Sequence, residues 1–285
     1  MMNTNPKFSL VLCTLGRNNF VINFLETISI QDNKIFEIIL VDQNEGKELF
    51  NIIQNYPNLN IKYCRSGKGL SVGRNIGLKY ITGKYVGFPD DDCEYPESIL
   101  NEVELLFLNT KTDLISMQSR WKDNQISNGN FDIKSGPINK HNVFKRVISY
   151  TIFVKSKIIK NIYFDEMLGV GAKSIFQSGE EVDFVLKILK KTTNTFYSNE
   201  LFIYHPHSTE NFDDLILRTK KYVPGKSYVL KKHRYPKIYI FAFIFSPFLK
   251  AFWSILKFSK NEVFLNYISF KYRLKGYLKS KFDNF

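Results

Sequence analysis

Four times within the first 110 residues, a short apolar run gives way to a segment of helical spacing. Few architectures accept that alternation. Phe8-Ser-Leu-Val-Leu-Cys-Thr14 predicts a buried strand, and apolar residues at Phe20, Val21, Phe24, Leu25 and Ile28 predict a helix over 18–30. Further strands are predicted at 36–42, 59–63 and 85–88, with helices over 47–56, 70–81 and 96–108. Strands that follow one another through helices lie parallel, with helices covering the sheet. Ligands bind such sheets at the carboxyl ends of the strands. Asp42 and Asp90-Asp91-Asp92 both fall at predicted strand ends, so the topology brings them to one edge. After residue 110 the rhythm changes. Residues 118–147 read as polar and irregular, 149–155 and 195–204 as strands, and 180–191 as an amphipathic helix.

Charge divides the chain further. Residues 1–217 carry 24 Lys and Arg against 25 Asp and Glu, and residues 218–285 carry 16 against 2. The net charge of +13 therefore comes from a front part at −1 and a tail at +14. The expected organisation is one α/β domain over 1–217 and a basic helical region over 218–285. The tail also holds the most apolar stretch, residues 238–249, followed by Lys250 and interrupted at Ser246-Pro247. That run is short of the roughly 20 apolar residues of a membrane span. A basic segment rich in Phe, with Trp253 and Leu, suits a helix lying among lipid headgroups. A solvated helical pair is the plainer reading. A basic patch alone would also allow nucleic acid, but the density of Phe and Ile fits lipid better, and no nucleic-acid partner is expected. Cys13, Cys64 and Cys93 form no CxxC pair, which argues against a zinc site or disulfide framework and for a reducing compartment. The N-terminus reads as no signal peptide.

Several signatures fail: there is no P-loop, no dinucleotide fingerprint and no HExxH. Gly69-Leu-Ser71-Val-Gly73 matches the GxSxG nucleophile elbow, with Asp183 and His205 in the order a hydrolase needs. The preceding strand ends too early for a tight elbow, and three fixed letters recur by chance. Three adjacent carboxylates, Asp90 to Asp92, repel one another unless a cation binds, and alternate oxygens suit Mg²⁺ or Mn²⁺. An acidic surface turn is the alternative. Gly179-Glu180-Glu181-Val-Asp183 opens a predicted helix, where acids are favoured by the dipole alone, or where one could act as a general base. His205 and His207, two of only four histidines, follow a predicted strand.

Taken in order over roughly 8–210, these pieces resemble the family 2 glycosyltransferases of GT-A fold, with its Rossmann-like, mostly parallel sheet flanked by helices. Phe8–Thr14 with Leu15-Gly16-Arg17 is similar to the opening strand and nucleotide loop, and Ile38-Ile-Leu-Val-Asp42 to the second strand. Gly69-Leu-Ser-Val-Gly-Arg74-Asn75-Ile-Gly77 is similar to the glycine-rich helix start. Phe88-Pro-Asp90-Asp91-Asp92 aligns with the DxD motif, and Gly179-Glu180-Glu181-Val-Asp183 with the base motif. The resemblance implies inverting transfer from a nucleotide-diphosphate sugar, with UDP expected. It implies that Thr14, Arg17, Asp42, Gly69, Arg74, Asp90 and Asp91 serve the nucleotide. Asp92, with Asp90 and His205, would hold Mn²⁺ or Mg²⁺. Glu181, or its neighbour Glu180, would be the base, in a motif completed by Asp183. It further implies a polyprenyl-diphosphate-linked glycan acceptor and a peripheral place on the cytoplasmic face of a bacterial plasma membrane. A sugar nucleotidyltransferase would also use paired acids, but it wants a longer loop after the first strand. An inactive membrane-docked glycan-binding protein is opposed by the intact acids.

Overall fold

The structure, a computed structural model, describes residues 5–32, 35–207, 211–256 and 258–280. It falls into two compact units, Met1–Phe164 with Phe184–Ser208, and Asp165–Asp183 with Thr209–Phe285.

The first unit is built on seven strands: β1 (Phe8–Thr14), β2 (Phe36–Asp42), β3 (Ile61–Arg65), β4 (Tyr85–Gly87), β5 (Leu114–Arg120), β6 (Ile152–Lys155) and β7 (Thr195–Tyr204). Their order is β3-β2-β1-β4-β6-β5-β7. β6 alone among them runs against its neighbours β4 and β5; the remaining pairings are parallel. The helices of this part are α1 (Asn18–Ser29), α2 (Glu48–Ile53), α3 (Leu70–Gly77) and α4 (Ile99–Thr110). All seven residues of β1 and of β2 are buried, as expected of strands covered on both faces. Phe8, Leu10 and Leu12 pack into one core with Phe24, Leu25 and Ile28 of α1 and Val103 and Phe107 of α4. On the other face α3 approaches so closely that a Cβ on Gly77 would sit 2.4 Å from Val11 Cγ1. Glycine there is a packing requirement.

β5 is a strand where sequence periodicity predicts none. Its polar residues disguise it: Ser116 Oγ is 3.2 Å from Thr151 Oγ1, and Ser119 Oγ is 2.8 Å from Tyr150 OH. These groups are satisfied inside the protein, so a central strand reads as a polar segment. The expected strand over 149–155 is a 3₁₀ turn at Ser149–Thr151 followed by β6.

α5 (Glu180–Ile188) opens with the acids of the GEEVD segment. In the second unit, α6 (Phe212–Lys232), α7 (Lys237–Leu256) and α8 (Lys260–Lys279) pack on one another. α6 and α8 meet at Gly276, where a Cβ would lie 2.7 Å from the Pro224 backbone. α7 does not break at Ser246-Pro247 as the sequence suggests. It runs on for 20 residues, long and apolar enough by length and composition to cross a membrane. Proline deprives the Phe243 carbonyl of its helical N–H donor. Arg273 Nη1 from α8 and Ser246 Oγ donate to that carbonyl instead, and Arg273 Nη1 also donates to Ser246 Oγ at 2.8 Å.

Candidate active site

The carboxyl edge of the first unit's sheet gathers most of the chemistry. β1 and β2 end in register at Thr14 and Asp42. β4 is followed at once by Phe88-Pro89 and the three aspartates. A ring cluster supports this turn from below: Phe164 and Phe184 stack at 4.1 Å, with Phe88 edge-on to both. The three acids then diverge. Asp90 pairs with Arg74 Nη2 at 2.9 Å. Asp91 accepts from Thr14 Oγ1 at 2.6 Å and faces Arg17 Nη1 at 3.0 Å. Asp92 accepts from Arg17 Nη2 at 2.5 Å.

His205 arrives from the far side of the sheet. It lies just past β7, four strands from β1, and a backbone bridge carries it in. Glu94 N donates to Tyr204 O at 3.0 Å, and Tyr204 N returns a bond to Glu94 O at 3.1 Å. The end of β7 is thereby fastened beside the aspartate turn. His205 Nε2 lies 3.2 Å from Asp92 Oδ1, its ring stacks on Tyr150 at 4.7 Å, and its Nδ1 is 2.8 Å from Asn128 Nδ2.

One oxygen, one oxygen and one ring nitrogen from Asp90, Asp92 and His205 lie within 4.8 Å of one another. Asp92 Oδ1 is buried and receives no hydrogen bond among the described residues, although it faces His205. Carboxylate oxygens with an imidazole nitrogen suit a divalent cation, and an orphaned buried oxygen between them fits one. Electrostatics follow the same geometry. Burial opposes charge on Asp92, but His205 and Arg17 outweigh it and bring the carboxyl down to about 2. Burial likewise opposes charge on His205, and Asp92 more than compensates, raising its pKa. Asp91 goes the other way: burial pushes it up to about 6, with Thr14 and Arg17 pulling against.

The other expected residues fall out as follows. Thr14 and Arg17 are bonded to the aspartates themselves. Asp42 is fully buried and accepts from Asn44 N at 2.9 Å, Asn44 Nδ2 at 2.8 Å and Tyr63 OH at 2.7 Å. Gly69 caps α3 with φ +123°, a backbone that other residues rarely adopt. Ser71, the hydrolase candidate, is buried in the first turn of α3. Glu180, Glu181 and Asp183 open α5. Asp183 is fully buried, 2.7 Å from Lys232 Nζ and 2.8 Å from His233 Nε2, and Lys232 also reaches Asp165 at 2.5 Å. Asn44, Tyr63, Asn128 and Tyr150 escape sequence reading, because single Asn and Tyr residues outside a motif carry no spacing signal.

A family model described as Glycosyl transferase family 2 matches residues 9–161. An uncharacterized glycosyltransferase of Rickettsia felis is 31% identical over 149 residues, 50% of this chain. The chain covers only 24% of that protein's length. A Campylobacter jejuni protein, GalNAc(5)-diNAcBac-PP-undecaprenol beta-1,3-glucosyltransferase, is 31% identical over 97 residues, 31% of this chain and 30% of that one. Among solved structures, S. aureus TarS 1–349 in complex with UDP-GlcNAc shares the fold at TM-score 0.60 and 16% identity, over 94% of this chain and 92% of that one.

Proposed function

The chain belongs to glycosyl transferase family 2, and from that premise we propose that it moves a sugar from a nucleoside-diphosphate sugar, UDP-linked, to a hydroxyl of a lipid-linked glycan, with inversion. The observation that carries this reading is the Asp90, Asp92, His205 donor set at the carboxyl edge of the sheet. A Mn²⁺ or Mg²⁺ ion held there supplies Lewis-acid stabilisation of the charge that grows on the departing diphosphate.

The protein's own side chains do the rest. Arg74, paired to Asp90, and Arg17, paired to Asp91 and Asp92, keep cationic guanidinium groups at the site. They hold phosphate oxygens by charge-assisted hydrogen bonds. Asp42 serves the nucleoside, fixed in orientation by Tyr63 and Asn44. Gly69 and the start of α3 line the nucleotide loop, and Asp91 supports Thr14. Glu181 takes the proton from the acceptor hydroxyl as its oxygen attacks the anomeric carbon; Glu180 is the alternative base. Asp183 anchors their helix turn through Lys232 and His233. Proton removal by a positioned carboxylate is worth roughly 10²–10⁴-fold. Displacement from the face opposite the leaving group inverts the centre, as in inverting glycosidases. The C. jejuni relative's name, with its undecaprenol-linked glycan, supports a lipid-linked acceptor, and with it we place the reaction in bacterial surface-polysaccharide synthesis at the cytoplasmic face of the plasma membrane.

The test is calorimetric titration of UDP and of GDP, each with Mn²⁺ and with EDTA, on the wild type and on Asp92→Ala. Expected is metal-dependent binding of UDP that the substitution abolishes while the melting temperature holds. Failure of a folded wild type to bind either nucleotide with Mn²⁺ overturns the reading.

A further inference from the structure

α7 has two apolar faces: one is buried, and the other stays largely exposed, meeting α8 where Phe245 and Phe248 contact Phe270 at 5.4 and 4.4 Å. Ile240, Ile244 and Pro247 are buried. On another side Ile238, Phe241, Phe245, Phe248, Phe252 and Ile255 follow one another at steps of three, four, three, four and three, and all are exposed. That spacing lays them in a single stripe along the helix. Ile238 is 80% exposed and Phe252 59%. Trp253 beside the stripe is 64% exposed and Leu249 71%. Along the seam with α8, Phe248, Phe252 and Ile255 meet Val263, Tyr267 and Phe270 around an apolar groove of about 330 Å³.

A contiguous apolar surface of this length on a soluble face marks an interaction site. We propose that the stripe and groove are a lipid-inserting surface: α7 lies in the plane of a bilayer with its outward face among the acyl chains. Three observations select lipid over other occupants. The six residues of the stripe are Ile and Phe alone, so nothing along it needs to stay in water. The tail from residue 218 onward carries a net +14, which repels a second copy and attracts anionic headgroups. The helix also cannot stand upright with its neighbour. α8 brings the exposed Lys260, Glu262, Lys271 and Lys275, and Ser254 of α7 bonds Glu262 at 2.9 Å. A spanning pair would take those charges into hydrocarbon. Lying flat leaves them in water, as for interfacial helices.

This surface differs from the headgroup-bound tail expected from sequence charge. Because the stripe itself is uncharged, binding survives salt. The experiment floats the full chain on vesicles of phosphatidylcholine and of phosphatidylcholine with phosphatidylglycerol, at 0.1 M and 1 M NaCl. Trp253 reports depth: in a Trp121→Phe background it is the sole tryptophan. Expected are flotation that persists in 1 M NaCl and quenching of Trp253 by lipid brominated in the acyl chain. Phe241→Glu and Phe252→Glu, exposed positions, should each lower partitioning about tenfold or more with the melting temperature unchanged. No flotation, or flotation lost in 1 M NaCl with Trp253 unquenched, overturns the proposal. So does a salt-stable dimer in solution that shields Trp253. The assay uses no nucleotide and no acceptor, so its outcome is separate from that of the transferase reading.

Discussion

Asn75 sits next to an arginine that pairs with Asp90, and it has a different task. Its Oδ1 accepts from Phe164 N at 2.8 Å, and its Nδ2 donates to Phe164 O at 3.0 Å, so one amide satisfies both polar groups of a buried residue. Phe164 in turn stacks on Phe184 beneath the aspartate turn and lies 5.3 Å from the Arg74 guanidinium. Asn75→Leu would leave two buried backbone groups unpaired, each worth about 1–3 kcal/mol. A loss of about 2–6 kcal/mol in urea unfolding is expected, together with weaker nucleotide binding. Asp165 yields a pH prediction. Burial opposes its charge, but the bond to Lys232 outweighs it and holds the carboxyl below the usual range. A depressed pKa adds stability above the unfolded value of about 3.9 and loses it as pH falls through the folded value. Asp165→Asn should therefore be less stable than wild type at pH 7, and the gap should close at pH 2–3 in urea titrations. In the sequence, the aspartates, Arg74 and His205 are legible because they stand at strand ends or in spaced motifs. The bond from Thr14 to Asp91 is not, because it joins two loops that only the folded sheet brings together.

At the scale of elements, the first four strands and their helices can be read from spacing, because each is apolar on both faces or amphipathic at helical period. β5 cannot, since Ser116 and Ser119 find partners in Thr151 and Tyr150 that sequence does not reveal. α7 fails for a related reason. Pro247 reads as a stop, and the group that overrules it is Arg273 on another helix. Burial brings that guanidinium's pKa down to about 10, and its ring contact with Phe243 is 4.2 Å. Arg273→Met removes the charged one of the two donors to the Phe243 carbonyl and leaves Ser246 Oγ, and a loss of about 1.5–3 kcal/mol is expected for a hydrogen bond from a charged group. Hydrogen exchange should rise around Ser246 more than in β1 or β2. A rise spread evenly over the whole chain would contradict this. Pro247→Ala supplies the missing N–H and should make the same arginine substitution milder.

For the whole molecule, the three thiols are a simple probe of integrity. None is in a disulfide; Cys13 and Cys93 are buried and Cys64 is half-buried. Burial raises all three, Cys13 to about 12. A thiolate is the reactive form. With an aromatic disulfide reagent at pH 8, the native protein should react slowly at no more than Cys64, and at all three cysteines in 6 M guanidinium. Fast reaction of two thiols in the native protein would mean that the sheet edge opens. The bridge between Glu94 and Tyr204 has a further meaning, in time. A ribosome delivers Asp90 and Asp92 long before β7 exists, and long-range strand pairings are the slow ones to form. His205 meets the aspartates only after the last strand has settled beside β5 and clasped Glu94. A nascent or truncated chain thus presents acids without their imidazole. The donor set is whole only in a chain whose sheet is finished, so an ability to bind there would report that the first unit has folded through its last strand, whatever the state of the helices that follow.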